Sequence, residues 1–263
     1  MIGVFDSGLG GLTVVRAIRR QLPGYDIVYL GDTARTPYGS KSLDTVARYA
    51  RQNAAFLLSQ ASRLIVVACN TASSISDVAA LGDGRVPVFD VIEPAVRKAL
   101  NATRTRAIGV IGTRATIASG VYERRLKALD AAVRVVSTPC PLLVPLVEEG
   151  WAGHPVTRMI VKRYLLPIKT RQIDTLILGC THYPVLKSII QRKIGPRVAV
   201  IDSSETVAAS LKAYLSTHPQ LDATLSQDGR LRICVSDETE MTATLAGKIL
   251  DMPVTLERID LPN

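Results

Sequence analysis

One pattern recurs along this chain and limits what it can fold into: a short, mainly apolar run, then a turn, then a longer segment with helical spacing. The runs at 2–5, 26–30, 64–68 and 86–91 have the length and β-branched content of buried strands. Between them, 11–21, 42–59 and 73–81 carry apolar residues at helical spacing. The order then returns, with strand-like runs at 107–111, 133–136, 175–178 and 198–201 and helix-like segments at 113–130, 156–169 and 185–193. Strands alternating with helices predict mainly parallel sheets flanked by helices, an α/β fold.

The two series can be laid on one another. Ile2-Gly3-Val4 recurs as Ile108-Gly109-Val110. Val67-Ala68-Cys69-Asn70-Thr71 aligns with Leu178-Gly179-Cys180-Thr181-His182, and Phe89-Asp90 and Glu93 align with Ile201-Asp202 and Glu205. The matches keep their order at nearly equal spacing, which predicts an internal duplication. The expected architecture is two pseudo-symmetric open α/β domains facing one cleft. Residues 1–94 with 207–263 would form the first, carrying Cys69, and 95–206 the second, carrying Cys180. The last part of the chain has no counterpart and is expected to return onto the first domain.

Composition narrows the function classes. Aromatics make up only 5% of the 263 residues, so the core must be Val, Ile, Leu and Ala. Four cysteines in a chain this long are no disulfide framework and predict reduced thiols in a cytoplasmic protein. No apolar run approaches the ~18 residues of a membrane span, and Met1 opens directly on a strand-like segment, so neither membrane insertion nor a signal peptide is expected. The net charge of +9 is scattered over helical faces, as at Arg16, Arg19, Arg20, Arg124, Arg125 and Lys127. No basic block or interleaved aromatics accompany it, so specific nucleic-acid binding is not expected.

The duplication gives the chemistry its place. It sets one cysteine at the C-terminal end of a strand in each half, and ligands of open α/β sheets bind outside those ends. Asn70-Thr71-Ala72-Ser73-Ser74 and Thr181-His182-Tyr183-Pro184 follow the two cysteines as helix openings. Free N–H groups there would suit a carboxylate and lower a thiol pKa, as would a protonated His182. Cys140 and Cys234 lack that context and read as core, and His154 and His218 as surface or loop residues.

Asp6-Ser7-Gly8-Leu9-Gly10-Gly11 follows the first strand, but an acid at its head would repel a pyrophosphate, so it does not read as a dinucleotide loop. Asp6 is expected to point into the cleft beside Cys69, and the glycines to allow a tight turn. Thr36-Pro37-Tyr38-Gly39 is a turn at the same edge. In the second half, Gly112-Thr113-Arg114-Ala115-Thr116 offers hydroxyls and N–H groups to an anion, and Glu148 is placed to orient His182. No metal site and no pyridoxal-phosphate arrangement is recognisable.

These motifs closely resemble those of the glutamate racemases. The ones that carry the likeness run from Phe5 to Gly11, from Asp32 to Gly39, from Ala68 to Ser73, from Val110 to Thr116, from Leu146 to Trp151 and from Gly179 to Pro184. The likeness runs in order over residues 1–205. It implies a cofactor-independent enzyme interconverting L- and D-glutamate and supplying D-glutamate for peptidoglycan synthesis. Matching positions make Cys69 and Cys180 the two acid/bases; from their own positions beside them, Asp6 is expected to assist Cys69 and His182 to assist Cys180. They make Asp6, Ser7, Tyr38, Gly39, Asn70, Thr71, Thr181 and His182 substrate contacts, with Thr113, Thr116 and Glu148 completing the pocket. With Met1 directly before the first strand, the extension by which some members bind a cell-wall-precursor activator is not expected, and a homodimer is left open. The alternatives are an aspartate or hydantoin racemase with the same cysteine pair, or a dicarboxylate-binding protein without chemistry.

Overall fold

The structure is a computed structural model and describes residues 1–75 and 77–261. Ser76, inside the helix expected at 73–81, and residues 262–263 of the expected first domain lie outside the described residues.

Two parallel sheets organise the chain. The first holds β1 (Ile2–Asp6), β2 (Ile27–Gly31), β3 (Leu64–Val67), β4 (Val88–Asp90), β9 (Leu231–Val235) and β10 (Leu256–Arg258) in the order β10-β9-β2-β1-β3-β4. The second holds β5 (Ala107–Gly112), β6 (Arg134–Pro139), β7 (Thr175–Gly179) and β8 (Ala199–Asp202) in the order β6-β5-β7-β8. The order 2-1-3-4 therefore recurs as 6-5-7-8, the repeat that the matched motifs announce. In β1, β2, β3, β5 and β7 every residue is buried, because helices cover both faces of a parallel sheet. Edge strand β6 has no fully buried residue, and Pro139 sits at its end, where no ladder bond is lost.

The helices are α1 (Leu12–Gln21), α2 (Leu43–Ser59), α3 (Ile92–Ala102), α4 (Arg114–Ala118), α5 (Val121–Leu129), α6 (Leu143–Glu148), α7 (Pro155–Lys169), α8 (Lys187–Ile194), α9 (Ser203–Thr217), α10 (Pro219–Asp222) and α11 (Glu240–Leu250). On one face of the six-stranded sheet, Ile2, Val4 and Tyr29 pack with Leu12 and Val15 of α1, Val207 and Leu211 of α9 and Leu245 of α11. On the other, Phe5, Leu30 and Ile65 pack with Val46, Ala50 and Leu57 of α2. The late segment thus lies on the first sheet from both directions: α9 and α11 cover it, and β9 extends it beside β2.

Three segments differ from the sequence expectation. The helix expected at 113–130 is two helices, α4 and α5, because Gly120 adopts a left-handed φ of +65° between them. The helix expected at 73–81 is replaced by 3-10 turns at Ala72–Ser74 and Ala79–Gly82. The helix expected at 185–193 starts at Lys187, after a 3-10 turn at Tyr183–Leu186. Among the described residues no helix is long and apolar enough to cross a membrane.

Candidate active site

The carboxyl ends of β1, β3, β5 and β7 meet where the two sheets face each other. Cys69 follows β3 and Cys180 follows β7, and both line one cavity. Ser7, Tyr38, Gly39, Asn70 and Thr71 reach it from the first sheet's side; Thr113, Thr181 and His182 reach it from the second's. Thr36, Pro37 and Val144 complete the wall. Of these three, Thr36 and Pro37 read only as turn residues in the sequence, and Val144 carried no signal at all. The cavity is about 20 Å³, room for about one water. A neighbouring cavity of about 240 Å³ shares Pro37, Gly39, Thr113 and Val144 with it and continues outward past Glu148.

Asp6 and Thr116 do not line the cavity. They stand one layer behind and hold what does. Asp6 is fully buried; its Oδ2 accepts the Gly11 N–H at 2.7 Å and the Thr181 hydroxyl at 3.4 Å, and its Oδ1 has no partner. Thr116 Oγ1 bonds Thr113 at 3.0 Å and Thr71 at 3.1 Å, closing a triangle of hydroxyls across the cleft with the 3.0 Å Thr71–Thr113 contact. The Tyr38 hydroxyl is engaged away from the cavity. It donates to Asp32 and accepts from Asn53 Nδ2 at 3.0 Å, so Tyr38 can offer a ligand only its ring and main chain. Arg35 pairs with Asp32 at 2.7 Å and Ser236 Oγ donates to Asp32 at 3.0 Å, which pins this loop to the end of β9.

The glycines act through closeness rather than through turning. Gly8, Gly10 and Gly11 all have ordinary φ values. A Cβ on Gly10 would stand 2.4 Å from Thr181 Oγ1 and 2.5 Å from His182 Nδ1, and one on Gly39 would stand 2.6 Å from Thr113 Cβ. Bare backbone at these two points lets the two sides touch.

The cysteines sit in different fields. Each is followed by only a short 3-10 turn, so the expected helix-terminus effect is weak. Cys69 is 4% exposed, and burial pushes its thiol up to about 12, with the Asp6 carboxylate adding to the rise. N–H groups of Ala72 and Ser7 and the Ser7 hydroxyl only partly oppose this. The expectation of a lowered thiol pKa is therefore corrected for Cys69: desolvation outweighs the local donors. Cys180, 5% exposed, instead faces His182, whose Nδ1 lies 3.8 Å from its Sγ and whose Nε2 lies 3.1 Å from Glu148 Oε1. Burial opposes charge on this imidazole, but hydrogen bonds to Cys180 and Glu148 prevail and push it up to about 10. As an imidazolium, His182 has a donor for each partner.

This arrangement has a pH signature. A histidine raised in the fold stabilises it fully below its unfolded value of about 6.5. That contribution fades as pH rises through about 10. The His182 ring resonance is expected to stay constant from about pH 5 to 8, the range in which an unperturbed imidazole changes charge. In Glu148→Gln, which removes one of the charge-assisted bonds, the titration should move to lower pH. NMR titration of ring protons checks both, and a wild-type His182 that titrates near 6.5 refutes the assignment.

Cys140 and Cys234 are fully buried and do not line the cavity; they lie in the hydrophobic clusters that also hold Cys180 and Cys69 respectively. His154 caps α7 through its Nδ1, and His218 stacks on Tyr214. Among the described residues no group of three His, Cys, Asp or Glu side chains is gathered as metal ligands would be.

The family described as Asp/Glu/Hydantoin racemase matches residues 2–211. The glutamate racemase of Persephonella marina is 46% identical over 260 residues, 99% of this chain and 97% of that one. That of Syntrophus aciditrophicus is 51% identical over 79% of this chain and 77% of its own. Among solved structures, a glutamate racemase isoform of Bacillus anthracis superimposes with a TM-score of 0.92 at 38% identity, covering 100% of this chain and 98% of that one. The Francisella tularensis glutamate racemase in complex with D-glutamate gives 0.90 at 36% identity over 98% and 97%. With likeness of this extent in both sequence and fold, the chain belongs to the Asp/Glu/Hydantoin racemase family and is an isomerase.

Proposed function

We propose that this protein interconverts L- and D-glutamate in the cytoplasm by a two-base mechanism in which Cys69 and Cys180 face opposite sides of the substrate Cα, and that its D-glutamate serves peptidoglycan synthesis. The observation that carries the mechanism is the placement of two cysteines after equivalent strands, β3 and β7, both on one cavity. The choice of glutamate is supported by the relatives that match over nearly the whole chain.

Racemisation needs a base on one face of Cα and an acid on the other. The Cys69 thiol, raised by burial, keeps its proton. The His182 imidazolium stabilises negative charge on the Cys180 sulfur across the 3.8 Å contact. In the direction in which Cα–H faces Cys180, that sulfur takes the proton, the Cα–H electrons remain on the substrate, and Cys69 delivers its proton to the opposite face. The reverse reaction runs the same steps backwards. The carbanion between them is stabilised by donors in a water-poor site. Around the cavity these are the hydroxyls of Ser7, Thr71 and Thr113. The cavity is smaller than an amino acid, so substrate enters as the two sides separate, and closure then excludes water.

The test is turnover of L-glutamate in D₂O without added cofactor. Each D-glutamate formed should carry deuterium at Cα from its first appearance, because the proton delivered comes from a solvent-exchanged thiol. Unlabelled initial product would refute two-base transfer. Faster turnover of L-aspartate than of L-glutamate would move the substrate, though not the mechanism.

A further inference from the structure

One polar contact across the cleft has no part in the proton-transfer scheme. Tyr122, on α5 beside the second sheet, is 3% exposed, and its hydroxyl donates to Asn70 Oδ1 at 2.6 Å. Asn70 lines the cavity from the other side. Its Nδ2 is buried and has no hydrogen-bond partner. A primary amide has an acceptor end and a donor end of nearly equal shape, so its sense is set by what each end meets. Here a phenol sets it. Burial, with the Asp90 carboxylate adding to it, raises the Tyr122 pKa and keeps the phenol protonated as a donor. The oxygen end of Asn70 is thereby used, and two N–H donors remain without an acceptor in a site built to take a carboxylate. Leaving buried donors unmet is costly, and a bound anion removes that cost.

The surroundings of Tyr122 fix it in that role. Gly179, immediately before Cys180, makes room for its ring: a Cβ there would lie 3.1 Å from Tyr122 Cε2. One turn along α5, Arg125 pairs with Asp90 at 2.9 Å, and Asp90 in turn caps α3 by accepting the N–H groups of Ile92 and Glu93. Helix α5 therefore grips the first side at two points, one of them a residue of the cavity wall.

We propose that Tyr122 is a positioning residue, whose hydroxyl orients the Asn70 amide so that its Nδ2 binds a carboxylate of the amino-acid substrate. This rests on the racemase reading for the identity of the ligand. It ties substrate binding to closure, since Asn70 is set correctly only when α5 is docked.

The test is a double-mutant cycle of Tyr122→Phe and Asn70→Ala, read as the dissociation constant of D-glutamate by calorimetry and as kcat and KM in both directions. Tyr122→Phe keeps the ring and its packing, and unchanged circular dichroism will show that the fold is intact. Loss of one hydrogen bond should weaken glutamate binding and raise KM about tenfold, with kcat within about threefold. Both enantiomers should suffer equally, because both present the same carboxylates. In the Asn70→Ala background, Tyr122→Phe should have no further effect, because its action passes through Asn70. Additive losses, or an unchanged KM in Tyr122→Phe, overturn the proposal. So does a fall in kcat at constant KM, which would mean that the tyrosine serves the chemistry and not binding. Wild-type protein that binds glutamate without racemising it refutes the racemase reading and leaves the cycle readable through binding alone; wild type that does neither overturns both.

Discussion

Replacing either Cys69 or Cys180 by serine is expected to lower kcat by about 10³-fold or more in both directions, within the range that a positioned acid or base contributes, while glutamate still binds. Serine has nearly the shape of cysteine, so the two buried sites should tolerate it. An alcohol, however, is a far weaker acid than a thiol, and in this desolvated cavity it can neither hold nor return the Cα proton. Each direction uses both sulfurs, one as base and one as acid, so neither variant should spare a direction. The enantiomers have equal free energy in water, so kcat/KM must fall equally both ways. Polarimetry from each enantiomer, with binding measured by calorimetry, checks the result. A serine variant that keeps a tenth of the activity would remove that cysteine from the mechanism.

Gly10→Ala should cost about 10²-fold in kcat/KM, the penalty expected when reacting groups are displaced by about an ångström. The added methyl would stand 2.4 Å from Thr181 Oγ1 and 2.5 Å from His182 Nδ1. Neither can step aside freely. Thr181 is bonded to Asp6, and His182 is held between Cys180 and Glu148. The strain is relieved most cheaply by widening the cleft, which separates acid from base but leaves both cores packed. The melting temperature should therefore fall little while activity collapses. Gly24→Ala is the control: its nearest neighbour is Gln227 O at 3.9 Å, and no effect is expected. Full activity in Gly10→Ala would show that the contact between the two sides does not govern the chemistry.

How much of this was legible in the sequence depended on whether the signal was local. Strands β1, β2, β3, β5 and β7 are buried on both faces, so they read as unbroken apolar runs. The repeated strand order was recoverable because the duplication kept cysteine, acid and Ile-Gly-Val in step. Helices α9 and α11 escaped notice: α9 mixes Ser, Thr and Ala around its surface and shows no clean stripe. The break at Gly120 was hidden because α4 and α5 together keep a helical period across it. At the site, Cys69 illustrates the limit. Its sequence context gave polar neighbours, which argue for a reactive thiol, but not its depth, which decides the sign of the shift. Tyr122 was invisible for a related reason. A tyrosine on an amphipathic helix looks like core, and only the fold brings its hydroxyl to a residue 52 positions away.

The path of the chain through the six-stranded sheet also orders events during synthesis. Strand β2 pairs on one side with β1, made just before it, but on the other with β9, which emerges about 200 residues later. By then every strand of the four-stranded sheet has left the ribosome, so that sheet can close first. Until β9 arrives, β2 presents an edge of unpaired N–H and C=O groups among apolar side chains, and open edges of this kind recruit strands from other chains. A nascent chain whose β8 has emerged but whose β9 has not can close its second sheet while the first still has an open edge.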